Sequence, residues 1–232
     1  MQKLRFLFFP IAFFLWYYSV FKEIDIKLAY FFNDLARFSH FIQNATAFLA
    51  SKKSDFVFDA IIALFIIPYI LSANREKRLE RFISSLLLIG FCACCYMFWT
   101  RYFFNSCLHL KSLSPIHVLP DFFRISSVVK WIKIKEFAST SYPSGHGCTL
   151  VLFPLIVSHL MGRKLGWLAL LISIPFALPR IITGAHWTSD FLLGSIPLAM
   201  FNLGWYLHTP VHTTLVQTTM RIFYGFKSLQ KI

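Results

Sequence analysis

Residues 85–99 read SLLLIGFCACCYMFW, a stretch without a single charged side chain. It lies inside a longer apolar run, Phe82–Phe104, in which Arg101 carries the one charge. A helix needs about 20 predominantly apolar residues to cross the hydrocarbon core of a bilayer. This run therefore predicts a transmembrane helix, and it places the chain in the membrane class.

Further apolar runs lie on both sides of this one. Hydrophobic residues make up 57% of the 232-residue chain and charged residues 14%, with a mean hydropathy of +0.61, which is outside the usual balance of soluble domains. We expect an all-α fold, a six-span transmembrane helical bundle that forms a single membrane-embedded domain over residues 1–232. The other five predicted spans are Leu4–Phe21, Phe56–Leu71, Thr149–Met161, Leu165–Leu178 and Phe191–Leu207.

The first predicted span follows Lys3 and includes Arg5, so it also resembles the basic start and apolar core of a signal peptide. No small-residue cleavage site follows it before Lys22 and Glu23. We therefore interpret this span as a retained anchor.

The distribution of lysine and arginine predicts the orientation of the bundle. The segments ANREKRLER (residues 73–81) and GRK (residues 162–164) belong in the cytoplasm by the positive-inside rule. The predicted loops 22–55, 105–148 and 180–190 then lie at the outer face. The formal net charge of +13 suits anionic lipid headgroups, and the apolar spans argue against a nucleic-acid partner.

Two outer-face motifs contain residue types that suit phosphate chemistry. In PRIITGAHWTSDFLLG (residues 179–194), Arg180 precedes His186 and Asp190, which are four residues apart. If the last span begins near Ala185, both side chains lie on one helical face, where the carboxylate accepts the imidazole N–H. The other ring nitrogen then becomes a better nucleophile.

The second motif is PSGH, residues 143–146, at the start of the fourth span. The first amides of a helix and the positive end of its dipole favour an anion, and Gly145 allows a close approach. Ser144 adds a hydroxyl donor, and His146 can deliver a proton to a leaving oxygen. An ordinary N-cap is the alternative interpretation of Ser144 and Gly145.

PSGH followed by R-x5-H-x3-D resembles the second and third signature motifs of the type-2 phosphatidic acid phosphatase superfamily, whose members share a core with vanadium haloperoxidases. The resemblance implies a membrane lipid phosphatase with its active-site motifs within residues 107–190. It implies that His186 is the nucleophile that forms a phosphohistidine, with Asp190 as its partner. It also implies that His146 is the general acid and that Arg180, Ser144 and Gly145 bind the phosphate.

The first family motif, Lys-x6-Arg-Pro, is altered in this chain. The corresponding stretch HLKSLSPIHVLPDF has Lys111 followed after five residues by His117. This form resembles a bacterial branch that includes lipid A phosphatases and phosphotransferases. The resemblance implies that Lys111 and His117 also bind phosphate, although a loop role without catalytic consequence is the alternative for His117.

Other hydrolytic chemistries fit the sequence less well. There is no G-x-S-x-G elbow of an acyl hydrolase and no H-E-x-x-H zinc motif, so we predict a metal-independent enzyme without a cofactor. The expected substrates are lipid A, polyprenyl pyrophosphate or phosphatidylglycerophosphate types, at the periplasmic face of a bacterial inner membrane. A lipid phosphotransferase is the alternative enzyme, and a non-catalytic lipid-binding or transport protein is the alternative from another class.

Two features outside the motifs leave alternatives open. Cys107 and Cys148 flank the site on the outer side, where a disulfide between them would suit an oxidising compartment. The segment 126–140, which includes Lys130, Lys133 and Lys135, either lies in the headgroup plane or packs on the bundle.

Overall fold

The computed structural model describes residues 22–107 and 112–229, and within these ranges helices and the loops that join them make up the fold. The all-α prediction is confirmed for this part of the chain. The helices are α1 (Lys22–Leu35), α2 (His40–Leu49), α3 (Lys52–Leu71), α4 (Arg75–Met97), α5 (Pro115–Val118), α6 (Ile125–Val128), α7 (Gly145–Met161), α8 (Arg163–Ile182), α9 (Ile196–His208) and α10 (Val211–Leu229), with π-helical segments at Phe98–Cys107 and Asp190–Ser195.

Among the residues that the structure describes, three helical stretches are long and apolar enough to cross a membrane, and α7 is a shorter apolar helix. These four match the second to fifth predicted spans. The first predicted span, Leu4–Phe21, lies outside the described residues. The sixth, Phe191–Leu207, coincides with a π-helical segment followed by α9, so the count of six spans stays a prediction. The three long stretches are Lys52–Leu71, Arg75–Cys107 and Arg163–Ile182.

The basic segment 73–81 is mostly helical rather than a loop. Asn74 is the N-cap residue of α4, and the charged residues from Arg75 onward form its first turns. Arginine, lysine and glutamate are good helix formers, so the helix extends beyond the apolar boundary that hydropathy marks.

The predicted outer loop 22–55 is largely the helical pair α1 and α2, which packs against α8. Asn33 fixes this pair to the rest of the fold, because its side-chain amide donates to the carbonyls of Phe123 and Ile182 at 3.0 and 2.9 Å. Its Oδ1 accepts from the Phe123 amide at 2.8 Å. The sequence analysis did not predict these helices, because α1 and α2 are too polar and too short for a search for spans to find them.

Helices α7 and α8 form the central hairpin of the fold. Gly162 joins them with a φ of +95°, a conformation that favours glycine. A Cβ at Gly166 would lie 2.5 Å from the Cβ of Ser158, so the two helices cross closely there. Phe58 of α3 packs edge-to-face on Phe153 of α7, with ring centroids 5.4 Å apart, and fixes α3 beside the hairpin.

Two sequence alternatives are decided in this part of the chain. Cys107 and Cys148 are both free; Cys107 is exposed, whereas Cys148 is buried with its Sγ 3.8 Å from the Ser195 carbonyl, so the alternative of a disulfide between them does not hold. Lys135 in the segment 126–140 contacts Asp55 of α3, and Glu136 is buried and accepts from the Ser126 amide at 2.7 Å. These inward contacts favour the interpretation of this segment as a loop packed on the bundle.

Candidate active site

The PSGH motif forms the start of α7, as the sequence predicts. Ser144 is its N-cap residue, and its Oγ accepts from the Gly147 amide at 3.2 Å. The first intrahelical bond of α7 runs from the Cys148 amide to the Ser144 carbonyl, at 3.0 Å. The amides of Gly145 and His146 precede that bond, at the end of the helix where the dipole favours an anion.

Gly145 also has a steric reason to be glycine. A Cβ at this position would lie 2.2 Å from the Tyr96 hydroxyl oxygen and 2.9 Å from the Tyr96 Cζ. The same holds for Gly147, where a Cβ would lie 2.3 Å from the Ser195 Oγ. The start of α7 is therefore packed tightly against α4 and against the π-helical segment Asp190–Ser195.

His186 is held by a backbone carbonyl as well as by Asp190. It lies in the loop that precedes the π-helical segment, not on one helix with Asp190, so the prediction of a helix from Ala185 was wrong. Its Nδ1 is 2.9 Å from the Ser141 carbonyl oxygen and 3.4 Å from Asp190 Oδ2. A carbonyl oxygen can only accept, so Nδ1 carries the proton and Nε2 is left as the free nitrogen.

Asp190 fixes the backbone around His186. The carboxylate accepts from the Trp187 amide at 2.9 Å and is 1% exposed. The backbone carbonyl oxygen of Asp190 lies 2.9 Å from the Ser195 Oγ, and the Ser144 carbonyl oxygen lies 2.8 Å from the same Oγ. Ser195 therefore links the two motifs, which are some 40 residues apart in the chain.

A second buried carboxylate supports this loop from α1. Asp25 accepts from the Ser189 amide at 3.1 Å and from the Ser189 hydroxyl. Burial raises the pKa of Asp25 above its ordinary value of 3.8, and the neighbouring charge of Asp190 acts in the same direction, against the Ser189 hydrogen bonds. Sequence reasoning missed Asp25 because no motif connects it to Asp190, which is 165 residues further on.

Arg180 and His146 meet at a carboxylate that the sequence analysis did not select. Asp55 Oδ1 is 2.9 Å from Arg180 Nη2 and 3.5 Å from His146 Nε2, and Oδ2 contacts Lys135 Nζ. Arg180 is 3% exposed and donates from Nη1 to the Ala50 carbonyl at 3.2 Å. The signal available in the sequence was an acidic residue at the edge of a predicted span, which is costly unless it is paired.

A cavity of about 210 Å³ opens beside this group of charges. His146 and Arg180 belong to its wall. The cavity wall thus combines groups that suit a phosphate with side chains that suit hydrocarbon. Its apolar lining consists of Leu49, Phe58, Leu150 and Phe176.

Of the other two predicted phosphate-binding residues, only His117 is described, and it does not line this cavity. Lys111 lies outside the described residues. His117 is an exposed residue of α5 whose Nδ1 is 2.8 Å from the Ser114 Oγ and whose ring packs on Phe137 at 5.0 Å. In residues 22–107 and 112–229, no group of three or more His, Cys, Asp or Glu side chains is arranged to hold a metal ion.

Comparison with known proteins gives one informative similarity. The chain is 26% identical over 209 residues to the Lipid A 1-diphosphate synthase of Escherichia coli (strain K12), an alignment that covers 87% of this chain and 84% of that protein. No protein-family model matches the chain. No solved structure matches it either.

The coverage of this alignment is more informative than its sequence identity. The alignment spans most of both chains, so it covers the helical bundle as well as the short motifs. It supports the resemblance to lipid-phosphate enzymes without distinguishing one branch of them from another.

Proposed function

We propose that this chain is an integral membrane lipid phosphatase that removes a phosphate from a lipid phosphate or pyrophosphate through a phosphohistidine at His186. The observation that carries the proposal is the fixed tautomer of His186. Its Nδ1 hydrogen is held by the Ser141 carbonyl, with Asp190 at 3.4 Å, and this leaves Nε2 free. The similarity to a lipid A enzyme supports an activity on lipid phosphates.

Phosphate binding falls to the cations and amides around the start of α7. A phosphate ester offers oxygens to several donors, and a guanidinium with unused N–H groups is well suited to it. Arg180 uses Nη1 for the Ala50 carbonyl and Nη2 for Asp55, which leaves further guanidinium hydrogens for a phosphate oxygen. The Gly145 and His146 amides complete the site, and Lys111 is the predicted second cation.

The reaction follows from the placement of the two histidines. Nε2 of His186 attacks phosphorus, the bond from phosphorus to the lipid oxygen breaks, and His146 gives that oxygen a proton. Water then attacks the phosphohistidine while His146 takes a proton from it, and inorganic phosphate leaves. The positive charge of the phosphorylated imidazole is stabilised by Asp190, which is 1% exposed.

The surroundings support a substrate that is drawn from a bilayer. The polar groups lie beside an apolar cavity wall, and the described part of the chain has three helical stretches able to span a membrane. With both basic segments 73–81 and 162–164 in the cytoplasm, the site faces the periplasm of a bacterial inner membrane.

A phosphotransferase is the second candidate, and a specific observation favours it. The similar protein is named as a synthase of a lipid diphosphate. In this version a second lipid phosphate, rather than water, attacks the phosphohistidine. The two candidates share every step up to that intermediate.

The test is the His186→Ala variant, assayed for release of inorganic phosphate from lipid phosphates in detergent. We expect activity to fall by at least about 10³-fold, because the variant has no nucleophile. The matched control is His40→Ala, which removes an exposed histidine of α2 that bonds to Gln43.

Labelled donor lipid distinguishes the two candidates in the same assay. Label in inorganic phosphate indicates the phosphatase, and label in a second lipid indicates the phosphotransferase. A His186→Ala variant that keeps more than a few per cent of either activity would contradict the proposal. A wild-type protein that binds lipid phosphate without turnover would favour the non-catalytic alternative.

A further inference from the structure

Asp55 contacts three cationic or proton-bearing groups with one carboxylate. Oδ1 lies between Arg180 and His146, at 2.9 Å from Nη2 and 3.5 Å from Nε2. Oδ2 contacts Lys135 of the loop that follows α6. Asp55 therefore connects α3, α7, α8 and this loop at one point.

The negative charge of Asp55 needs an explanation in a phosphate site. A carboxylate near a phosphate disfavours the anion, so Asp55 is not a phosphate ligand. Lys135 offsets the charge at Oδ2, the oxygen remote from His146. The oxygen that remains, Oδ1, faces the guanidinium and the imidazole that the proposed reaction uses.

His146 is the group that most needs to be oriented. It is the second residue of α7, and its side chain is 41% exposed, so packing alone does not fix its ring. Arg180 is 3% exposed and has a second anchor in the Ala50 carbonyl. Loss of Asp55 would therefore free the His146 ring more than the Arg180 side chain.

The contact with Nε2 also determines which nitrogen of His146 meets the substrate. A protonated imidazole carries a hydrogen on both nitrogens, and Nε2 is the nitrogen that lies 3.5 Å from Asp55 Oδ1. Nδ1 is then the nitrogen left for the leaving oxygen. As the bond from phosphorus to the lipid oxygen breaks, the Nδ1 proton moves to that oxygen, and the neutral ring keeps its Nε2–H toward Asp55.

We propose that Asp55 is a positioning residue that holds His146 by Nε2, so that Nδ1 donates the proton to the leaving lipid oxygen. This inference rests on the proposed phosphatase function. Asp55 acts through His146 and does not itself touch the substrate.

The experiment compares two leaving groups. A lipid alkoxide needs a proton to leave, whereas nitrophenolate leaves without one, so a defect in proton donation slows only the first. We expect Asp55→Asn to lower kcat for an alkyl lipid phosphate by roughly 10²-fold, within the range of about 10²- to 10⁴-fold for a whole general acid. For nitrophenyl phosphate we expect a change of less than roughly fivefold, because the side chains and amides that bind the phosphate are retained.

A double variant tests whether the effect passes through His146. Asp55→Asn in a His146→Ala background should cause no further loss with the alkyl substrate, since the oriented group is already absent. Equal slowing of both substrates, or losses that multiply in the double variant, would overturn the inference.

Asp55→Glu is a second variant, for the case that Asp55→Asn does not fold. It keeps the charge opposite the buried Arg180 and moves the carboxylate by one methylene, so it should also slow the alkyl substrate more than the aryl one. Full activity of Asp55→Glu on both substrates would overturn the inference. The control is Asp34→Asn, which breaks an exposed ion pair between the end of α1 and Arg37 in the turn that follows it.

The activity of the wild-type protein distinguishes a failure of this inference from a failure of the proposed function on which it rests. If wild-type protein releases no phosphate and transfers none, the proposed function fails. If wild type is active and Asp55→Asn lacks the leaving-group contrast, only the role of Asp55 is wrong.

Discussion

At the scale of the residue, the two candidate histidines differ in the partners that their ring nitrogens meet. His186 gives its Nδ1 hydrogen to the Ser141 carbonyl, and His146 presents Nε2 to Asp55. Motif spacing predicts the histidines, Arg180 and Asp190, because these residue types lie close together in the sequence. It could not predict Ser141, whose contribution is a backbone carbonyl, or Asp55, which comes from another helix.

Asp25 provides a residue-scale prediction on stability against pH. Its raised pKa means that the folded chain keeps this proton at a pH where the unfolded chain has lost it. Stability from this group is complete below the ordinary value of 3.8 and is lost as pH rises through the folded pKa. Asp25→Asn has no such dependence.

We therefore expect the thermal stability of wild type, relative to Asp25→Asn, to increase as pH falls from about 7 toward 4. Melting temperatures of both proteins in detergent across this range measure the effect, and the subtraction cancels the other titrating groups. A difference that is constant, or that moves in the opposite direction, contradicts the assigned environment of Asp25.

At the scale of the element, the start of α7 is the feature that the sequence predicts best. Ser144 is the N-cap residue. The apolar run that follows is too short for a span by itself, so the sequence predicts that the helix begins in the PSGH turn. Hydropathy did not find α1 and α2, because their helical faces are held by side-chain contacts such as those of Asn33. Hydropathy measures how strongly a segment prefers lipid to water. It gives no signal for helices such as these, which are held in place by hydrogen bonds to other parts of the fold.

Gly145→Ala tests the packing at this element. Its Cβ would lie 2.2 Å from the Tyr96 hydroxyl, so either the Tyr96 ring or the first turn of α7 must move. We expect a loss of about 1–3 kcal/mol in unfolding free energy, the usual cost of overpacking. Tyr96→Phe in the same chain should restore part of it by removing the closest atom.

The matched control is Gly204→Ala in α9, where a Cβ meets nothing within 4 Å. This change should be neutral or stabilise by up to about 1 kcal/mol, because alanine is the better helix former. Denaturant or thermal unfolding in detergent measures all three variants. Equal effects at Gly145 and Gly204 would contradict the close approach of Tyr96.

At the scale of the whole molecule, the candidate site exists because distant segments converge on the start of α7 and on the loop that carries His186. Asp25 comes from α1, Asp55 from α3, Lys135 from a packed loop and Arg180 from the end of α8. The all-α class and the three long apolar helical stretches of the described residues could be predicted from apolar runs, since burial in lipid is a local property of sequence. The convergence depends on how the helices pack, which a single chain's hydropathy pattern does not encode.

The most direct measurement of the central claim is to trap the phosphoenzyme. Detergent-solubilised protein is mixed briefly with labelled lipid phosphate, quenched in alkali and digested, and the labelled peptide is fragmented to locate the phosphoryl group. The account predicts label on His186 during turnover, in the same yield with a chelator present, because the predicted chemistry needs no metal. Label on another residue, turnover without any labelled intermediate, or labelling that needs a divalent ion would contradict it.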